Sequence, residues 1–273
     1  MIAPIGIFDS GYGGLTVLRQ IRQRLPQYDY LYLGDNARAP YGQRSFQLVY
    51  EFTLQAVKRL FELGCPLIIL ACNTASAKAL RTIQQCDLSQ MGDSSLRVLG
   101  VVRPTAEAVD TFTKTRHIGI VATRGTIMSR TYDLEIAKTA PDIVVNSEAC
   151  PMWVPLVENR EADGEGADYF VKKHINRLLQ QDPLIDAIIL GCTHYPLLMN
   201  KIRQFTPQHI NIIPQGKYVA ASLENYLQRH QDMQQRLSTG GSVTFLTTEQ
   251  PEAFNDNASL FVGHSVQAQA IVL

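Results

Sequence analysis

Surplus charge of either sign is missing from this chain: 25 Lys+Arg stand against 25 Asp+Glu among 273 residues. Without a basic excess there is no electrostatic footprint for nucleic acid, so nucleic acid is not expected as the main ligand. Long apolar runs are missing too. The opening residues, Met1-Ile2-Ala3-Pro4-Ile5-Gly6-Ile7-Phe8-Asp9, have no basic region ahead of an apolar stretch and enter strand-like sequence at once. Neither a secretion signal nor a membrane span is expected from them. Cysteine is sparse: five residues, at 65, 72, 86, 150 and 192, an odd number with no Cys-x-x-Cys pair. That pattern argues against a disulfide framework or structural zinc, and for free thiols in a reducing cytoplasm.

Short apolar runs bounded by small polar residues recur at Ile5–Phe8, Tyr30–Leu33, Leu67–Leu70, Val98–Val102, His117–Val121, Ile143–Val145, Ala187–Leu190, Asn211–Ile213 and Val243–Leu246. Amphipathic stretches of helical length lie between most of them, among them Gly14–Leu25, Phe46–Leu63, Ser76–Gln85 and Ala167–Leu179. Strands buried on both faces and alternating with helices predict an α/β fold with largely parallel sheets.

Two of these strands end in near-copies. Leu67-Ile68-Ile69-Leu70-Ala71-Cys72-Asn73-Thr74 is echoed by Ala187-Ile188-Ile189-Leu190-Gly191-Cys192-Thr193-His194, and Ile5-Gly6-Ile7 by Ile118-Gly119-Ile120. The pattern reads as a diverged internal duplication, which predicts two pseudo-symmetric three-layer α/β domains facing a shared cleft. Residues 1–97 plus 214–273 are expected to form the first, carrying Cys72, and 98–213 the second, carrying Cys192. Ligands of such folds gather at the carboxyl ends of strands, where both thiols then sit.

The loop Asp9-Ser10-Gly11-Tyr12-Gly13-Gly14 invites a dinucleotide reading, but the third glycine of the fingerprint falls at Thr16, and Asp9 would stand against a pyrophosphate. A tight turn, or a cradle of backbone N–H groups for a small carboxylate, fits better. Asp9 as a phosphoryl acceptor would want further carboxylates and Mg²⁺ beside it, and no Asp-x-Asp occurs.

Matched thiols leave three active readings. A redox pair requires touching sulfurs. A Cys–His nucleophile would use Cys192 with His194, but residues two apart on a strand point the same way without aiming the base at the thiol. The third reading uses both thiols: one, as thiolate, takes a proton from a carbon held between the domains, and the other, as thiol, returns one to the opposite face. Backbone N–H groups and side chains at Asn73-Thr74 and Thr193-His194 are suitable donors for a substrate carboxylate, although Thr74 and Thr193 could equally cap helices.

Four segments in register, Asp9-Ser10-Gly11-x-Gly13-Gly14, Gly34-Asp35-Asn36-Ala37-Arg38-x-Pro40-Tyr41-Gly42, Ala71-Cys72-Asn73-Thr74-Ala75 and Gly191-Cys192-Thr193-His194-Tyr195-Pro196, together resemble the bacterial glutamate racemases across nearly the whole chain. The resemblance implies a cofactor-independent racemase, with no metal, that interconverts L- and D-glutamate and supplies D-glutamate for peptidoglycan. It implies Cys72 and Cys192 as the acid/base pair, with Asp9 assisting Cys72 and meeting the substrate ammonium, and His194 and Glu158 assisting Cys192. Asn73, Thr74, Thr193 and His194 would hold the α-carboxylate and amino end; Ser10, Tyr41 and Gly42 would meet the distal carboxylate, with Asp35 also among the substrate-binding residues. A homodimer is implied as well.

Val101-Val102-Arg103-Pro104-Thr105 departs from the Pro-Gly step many members carry, so the cleft wall is expected to differ there. The few residues before the first strand imply no N-terminal extension of the kind that carries nucleotide-precursor activation in some members. The alternatives are an aspartate racemase or another two-cysteine racemase of the same superfamily and, in another class, a non-catalytic binding or inhibitor protein.

Overall fold

Ten strands arrange into two separate, wholly parallel sheets in the computed structural model, which describes residues 3–273. Met1 and Ile2, the start of the lead-in read above, lie outside the described residues. The strands are β1 Ile5–Asp9, β2 Tyr30–Gly34, β3 Leu67–Leu70, β4 Arg97–Gly100, β5 His117–Ala122, β6 Val144–Ala149, β7 Ala187–Gly191, β8 Asn211–Pro214, β9 Val243–Thr247 and β10 Ala268–Ala270. The first sheet has the order β10-β9-β2-β1-β3-β4, the second β6-β5-β7-β8.

Taken four at a time the sheets share one topology: β2-β1-β3-β4 maps onto β6-β5-β7-β8. The register agrees as well, since Gly6 pairs with Ile68 and Gly119 with Ile188. Each cysteine stands four residues beyond its paired isoleucine, so Cys72 and Cys192 leave their sheets at equivalent points. The expected strands Leu67–Leu70 and Ala187–Leu190 are buried throughout, as central parallel strands must be.

Two features differ from the sequence reading. Arg97–Gly100 pairs with β3 in the first sheet, so that sheet extends past the boundary expected at residue 97 and the chain crosses over after Gly100. The edge strand β10 was not anticipated, because Ala268-Gln269-Ala270 is half-exposed and has no apolar pattern to mark it. The return crossing follows β8: the helix Gly216–Arg229 packs beside Gly14–Arg24, and β9 joins β2.

Helices cover both faces of each sheet. The largest apolar cluster runs without interruption from Ile5, Ile7 and Tyr32 through Val101 to Trp153, Ile188 and Tyr195, so both sheets share it. Separate clusters fill the remaining faces. No helix among the described residues is long and apolar enough to cross a membrane.

Candidate active site

A cavity lies between the carboxyl ends of the two sheets, and every residue lining it comes from three pairs of equivalent loops or the helices that directly follow them. The loops after β1 and β5 contribute Ser10 and Thr123-Arg124. Those after β2 and β6 contribute the Ala39–Gln43 segment and Pro151, Val154, Pro155 and Glu158. Those after β3 and β7 contribute Cys72-Asn73-Thr74 and Cys192-Thr193-His194. The duplication thus builds the cavity wall from both sides.

On the first side, Cys72 stands two residues beyond β3 and caps the short helix Asn73–Lys78, its sulfur accepting the Ala75 N–H at 3.4 Å. The thiol donates to Ser10 Oγ, also at 3.4 Å. Burial, reinforced by the nearby Asp9 carboxylate, pushes this thiol up to about 12, so it rests protonated at neutral pH. Thr74 leaves capping to the cysteine; its hydroxyl meets Thr123 at 3.0 Å and Thr126 at 3.3 Å across the domain boundary.

On the second side, β7 ends at Gly191, which frees Cys192 and His194 from strand geometry. His194 Nδ1 therefore reaches to 3.9 Å from Cys192 Sγ, contrary to the strand-based expectation that the ring would not address the thiol. Its Nε2 meets Glu158 Oε1 at 2.9 Å. Burial draws the imidazolium down, but the hydrogen bonds to Cys192 and Glu158 outweigh it and raise His194 to about 10. The ring is thus cationic at neutral pH.

Two expected site residues sit behind the wall. Asp9 is buried and does not line the cavity; Oδ2 accepts the Gly11 N–H at 2.9 Å, while Oδ1 has no partner. Burial raises its carboxyl, with His194 opposing. Asp35 is fully buried and committed to Arg38 Nε at 2.6 Å, Thr248 Oγ1 at 2.9 Å and the Tyr41 hydroxyl. Asp35 does not line the cavity but orients Tyr41, which does and whose hydroxyl is already spent.

The Gly-rich loop brings the domains together. A Cβ on Gly13 would collide with Thr193 Oγ1 and the His194 ring, so only glycine allows this approach. Thr16, the residue that spoiled the dinucleotide fingerprint, donates to the Thr193 carbonyl at 2.9 Å. Thr123 and Arg124 were missed as lining residues, yet the echo of Ile5-Gly6-Ile7 in Ile118-Gly119-Ile120, which sets Thr123 opposite Ser10, was the signal that could have found them. Val154 and Pro155 carry no chemistry that sequence could flag.

Residues 13–218 match the family model of the Asp/Glu/hydantoin racemases. The glutamate racemase of Roseobacter denitrificans is 39% identical over 276 residues, spanning 97% of this chain and 99% of the relative. Among solved structures, the glutamate racemase isoform RacE1 of Bacillus anthracis superposes with a TM-score of 0.89 at 34% identity, covering 99% of this chain and 98% of its own. The glutamate racemase of Francisella tularensis, solved in complex with D-glutamate, gives 0.86 at 30% identity, with 99% and 97% covered.

Proposed function

This chain belongs to the Asp/Glu/hydantoin racemase family, and from that premise we propose that it interconverts L- and D-glutamate without a cofactor, with Cys72 and Cys192 as the two acid/base residues. The observation that carries the reading is the register equivalence of the two thiols, each at the carboxyl end of a matching strand and both lining one cavity. Inversion at carbon needs proton removal on one face and delivery on the other, and reversibility makes the partners exchange roles. Two pseudo-equivalent thiols meet that demand.

In this scheme the substrate α-carbon lies between the sulfurs. Cys72, protonated at rest, donates a proton to one face. On the other face Cys192 works beside the His194 imidazolium, which stabilises negative charge on the sulfur and is itself held by Glu158. Run backwards, Cys72 becomes the base, and Ser10 Oγ and the Ala75 N–H are donors for its thiolate. Asp9, behind the wall with Oδ1 unpartnered, acts through its negative charge beside Cys72 and His194 and not by direct contact with the substrate. Backbone N–H groups at Asn73-Thr74 and Thr193-His194 hold the α-carboxylate, where each well-placed donor contributes about 3 kcal/mol to the carbanionic transition state. Ser10 and the backbone N–H groups of Tyr41-Gly42 meet the distal carboxylate, joined by the exposed Arg124 guanidinium. D-Glutamate so produced would serve peptidoglycan synthesis in the cytoplasm.

Circular dichroism of L-glutamate incubated with protein and reductant, with L-aspartate in parallel, tests this. Decay of the glutamate signal alone is expected, and it should fall about 10²–10⁴-fold in rate with Cys72→Ala or Cys192→Ala. A flat glutamate trace with the unaltered protein would overturn the proposal, and decay of aspartate alone would reassign the substrate.

A further inference from the structure

Behind the cavity, where both chain crossings meet, three buried side chains close a ring of hydrogen bonds that the scheme above does not use. Asn73 Nδ2 donates to Gln215 Oε1 at 2.7 Å, Gln215 Nε2 donates to the Tyr132 oxygen, and Tyr132 OH donates to Asn73 Oδ1 at 2.9 Å. Every link donates in the same rotational sense, so the bonds polarise one another. Gln215 Nε2 also lies 3.3 Å from the Val101 carbonyl and 3.3 Å from Thr105 Oγ1. None of the three ring residues is more than 4% exposed.

The ring touches both cysteine loops. Asn73 directly follows Cys72. Tyr132 packs on the residue before Cys192: a Cβ on Gly191 would lie 3.3 Å from Tyr132 Cε2. Val101 and Thr105 stand at the first crossing and Gln215 at the second, so both crossings between the sheets are tied at one point. Thr105 supplies a hydroxyl within reach of Gln215, and Val101–Thr105 lies behind the cavity rather than in its wall.

An asparagine amide can turn over unless its neighbours distinguish oxygen from nitrogen. Here Tyr132 can donate only to Oδ1 while its own oxygen is occupied by Gln215, and Gln215 Oε1 can only accept from Nδ2. One N–H of Nδ2 and one lone pair of Oδ1 stay uncommitted, in a residue that lines the cavity.

We propose that Tyr132 and Gln215 are positioning residues, which fix the Asn73 amide and hold the two cysteine loops at the separation that lets both thiols bracket one carbon. The inference rests on the two-thiol reading above. A ring that merely supports the fold would, on removal, lower the fraction of active protein and leave the partition of each turnover alone. A ring that sets the spacing does more: once it is broken, the carbanion made at one thiol waits longer for the other, and the first thiol, after exchange with solvent, returns a proton to the same face.

Tyr132→Phe and Gln215→Met are to be assayed in D₂O from each glutamate enantiomer at low conversion, measuring deuterium in recovered substrate and in product together with kcat, KM and the thermal midpoint. For both variants the substrate-to-product label ratio should rise several-fold, and kcat should fall about tenfold with KM changed much less. Tyr132→Phe removes one oxygen and keeps the ring that packs on Gly191, so it carries the test alone if Gln215→Met does not fold. Normal racemisation by the unaltered protein with an unchanged label ratio in the variants overturns the ring's role only. Absence of both exchange and racemisation in the unaltered protein overturns the two-thiol reading and the inference with it.

Discussion

His194 is the most heavily biased side chain of the cavity, because it answers to a sulfur on one nitrogen and a carboxylate on the other. Its folded value, raised to about 10 from 6.5, has a direct consequence for stability. A cation held more tightly in the folded state contributes fully below about pH 6.5, and the contribution is lost as pH rises through about 10. The difference in urea midpoint between the unaltered protein and His194→Asn should therefore be largest near pH 6 and shrink steadily towards pH 10. A difference that stays constant or grows would show that the ring is neutral in the folded protein. At this scale the sequence was legible in placement: Cys72, Cys192 and His194, each just beyond a matching strand, do come to line one cavity. It was not legible for Asp35, whose carboxylate is consumed by Arg38, Thr248 and Tyr41, because three-dimensional neighbours decide whether a polar group is free.

Elements were legible in proportion to how completely they are buried. The central strands β3 and β7 announce themselves as continuous apolar runs, whereas β10 does not, since an edge strand exposed on most of its length needs no such run. The helix after Cys72 begins at Asn73 and gives way at Ala79, and a wide turn follows at Ile83–Asp87, where periodicity suggested one helix from Ser76. Loops carry less pattern, yet the Gly-rich one makes a sharp prediction. Gly11 and Gly13 look interchangeable in sequence. A Cβ on Gly11 would meet nothing closer than 3.7 Å, while one on Gly13 would overlap Thr193 and His194. Gly13→Ala should therefore push the Cys192 loop away, cost about 1–3 kcal/mol in stability and lower racemisation on the order of 10²-fold. Gly11→Ala should change either quantity by much less. Parallel denaturation curves and initial rates for the two variants decide it, and equal effects would remove the claim that this loop sets the domain approach.

At the scale of the whole molecule, duplication explains why the cavity could be read in outline: each half supplies the same three loops, so locating them in one half locates them in the other. The duplication does not reveal how firmly the halves are joined, which depends on side chains from separate parts of the chain meeting across the seam. Here they meet extensively. One apolar cluster spans both sheets, Thr74 and Thr16 cross the boundary with hydrogen bonds, and Gln215 ties both crossings. Exposing either half would uncover part of that shared core, so neither sheet has an independent route to unfolding. Calorimetry should accordingly show one transition whose van't Hoff and calorimetric enthalpies agree, despite two sheets and two crossings. Because the cavity is lined from both halves, D-glutamate should move that single transition upwards as a unit, by about 2.7 kcal/mol of stabilisation at a hundredfold excess over its Kd. Two resolved transitions, or a ligand shift confined to one of them, would mean that the halves fold independently and that the shared cluster does not couple them.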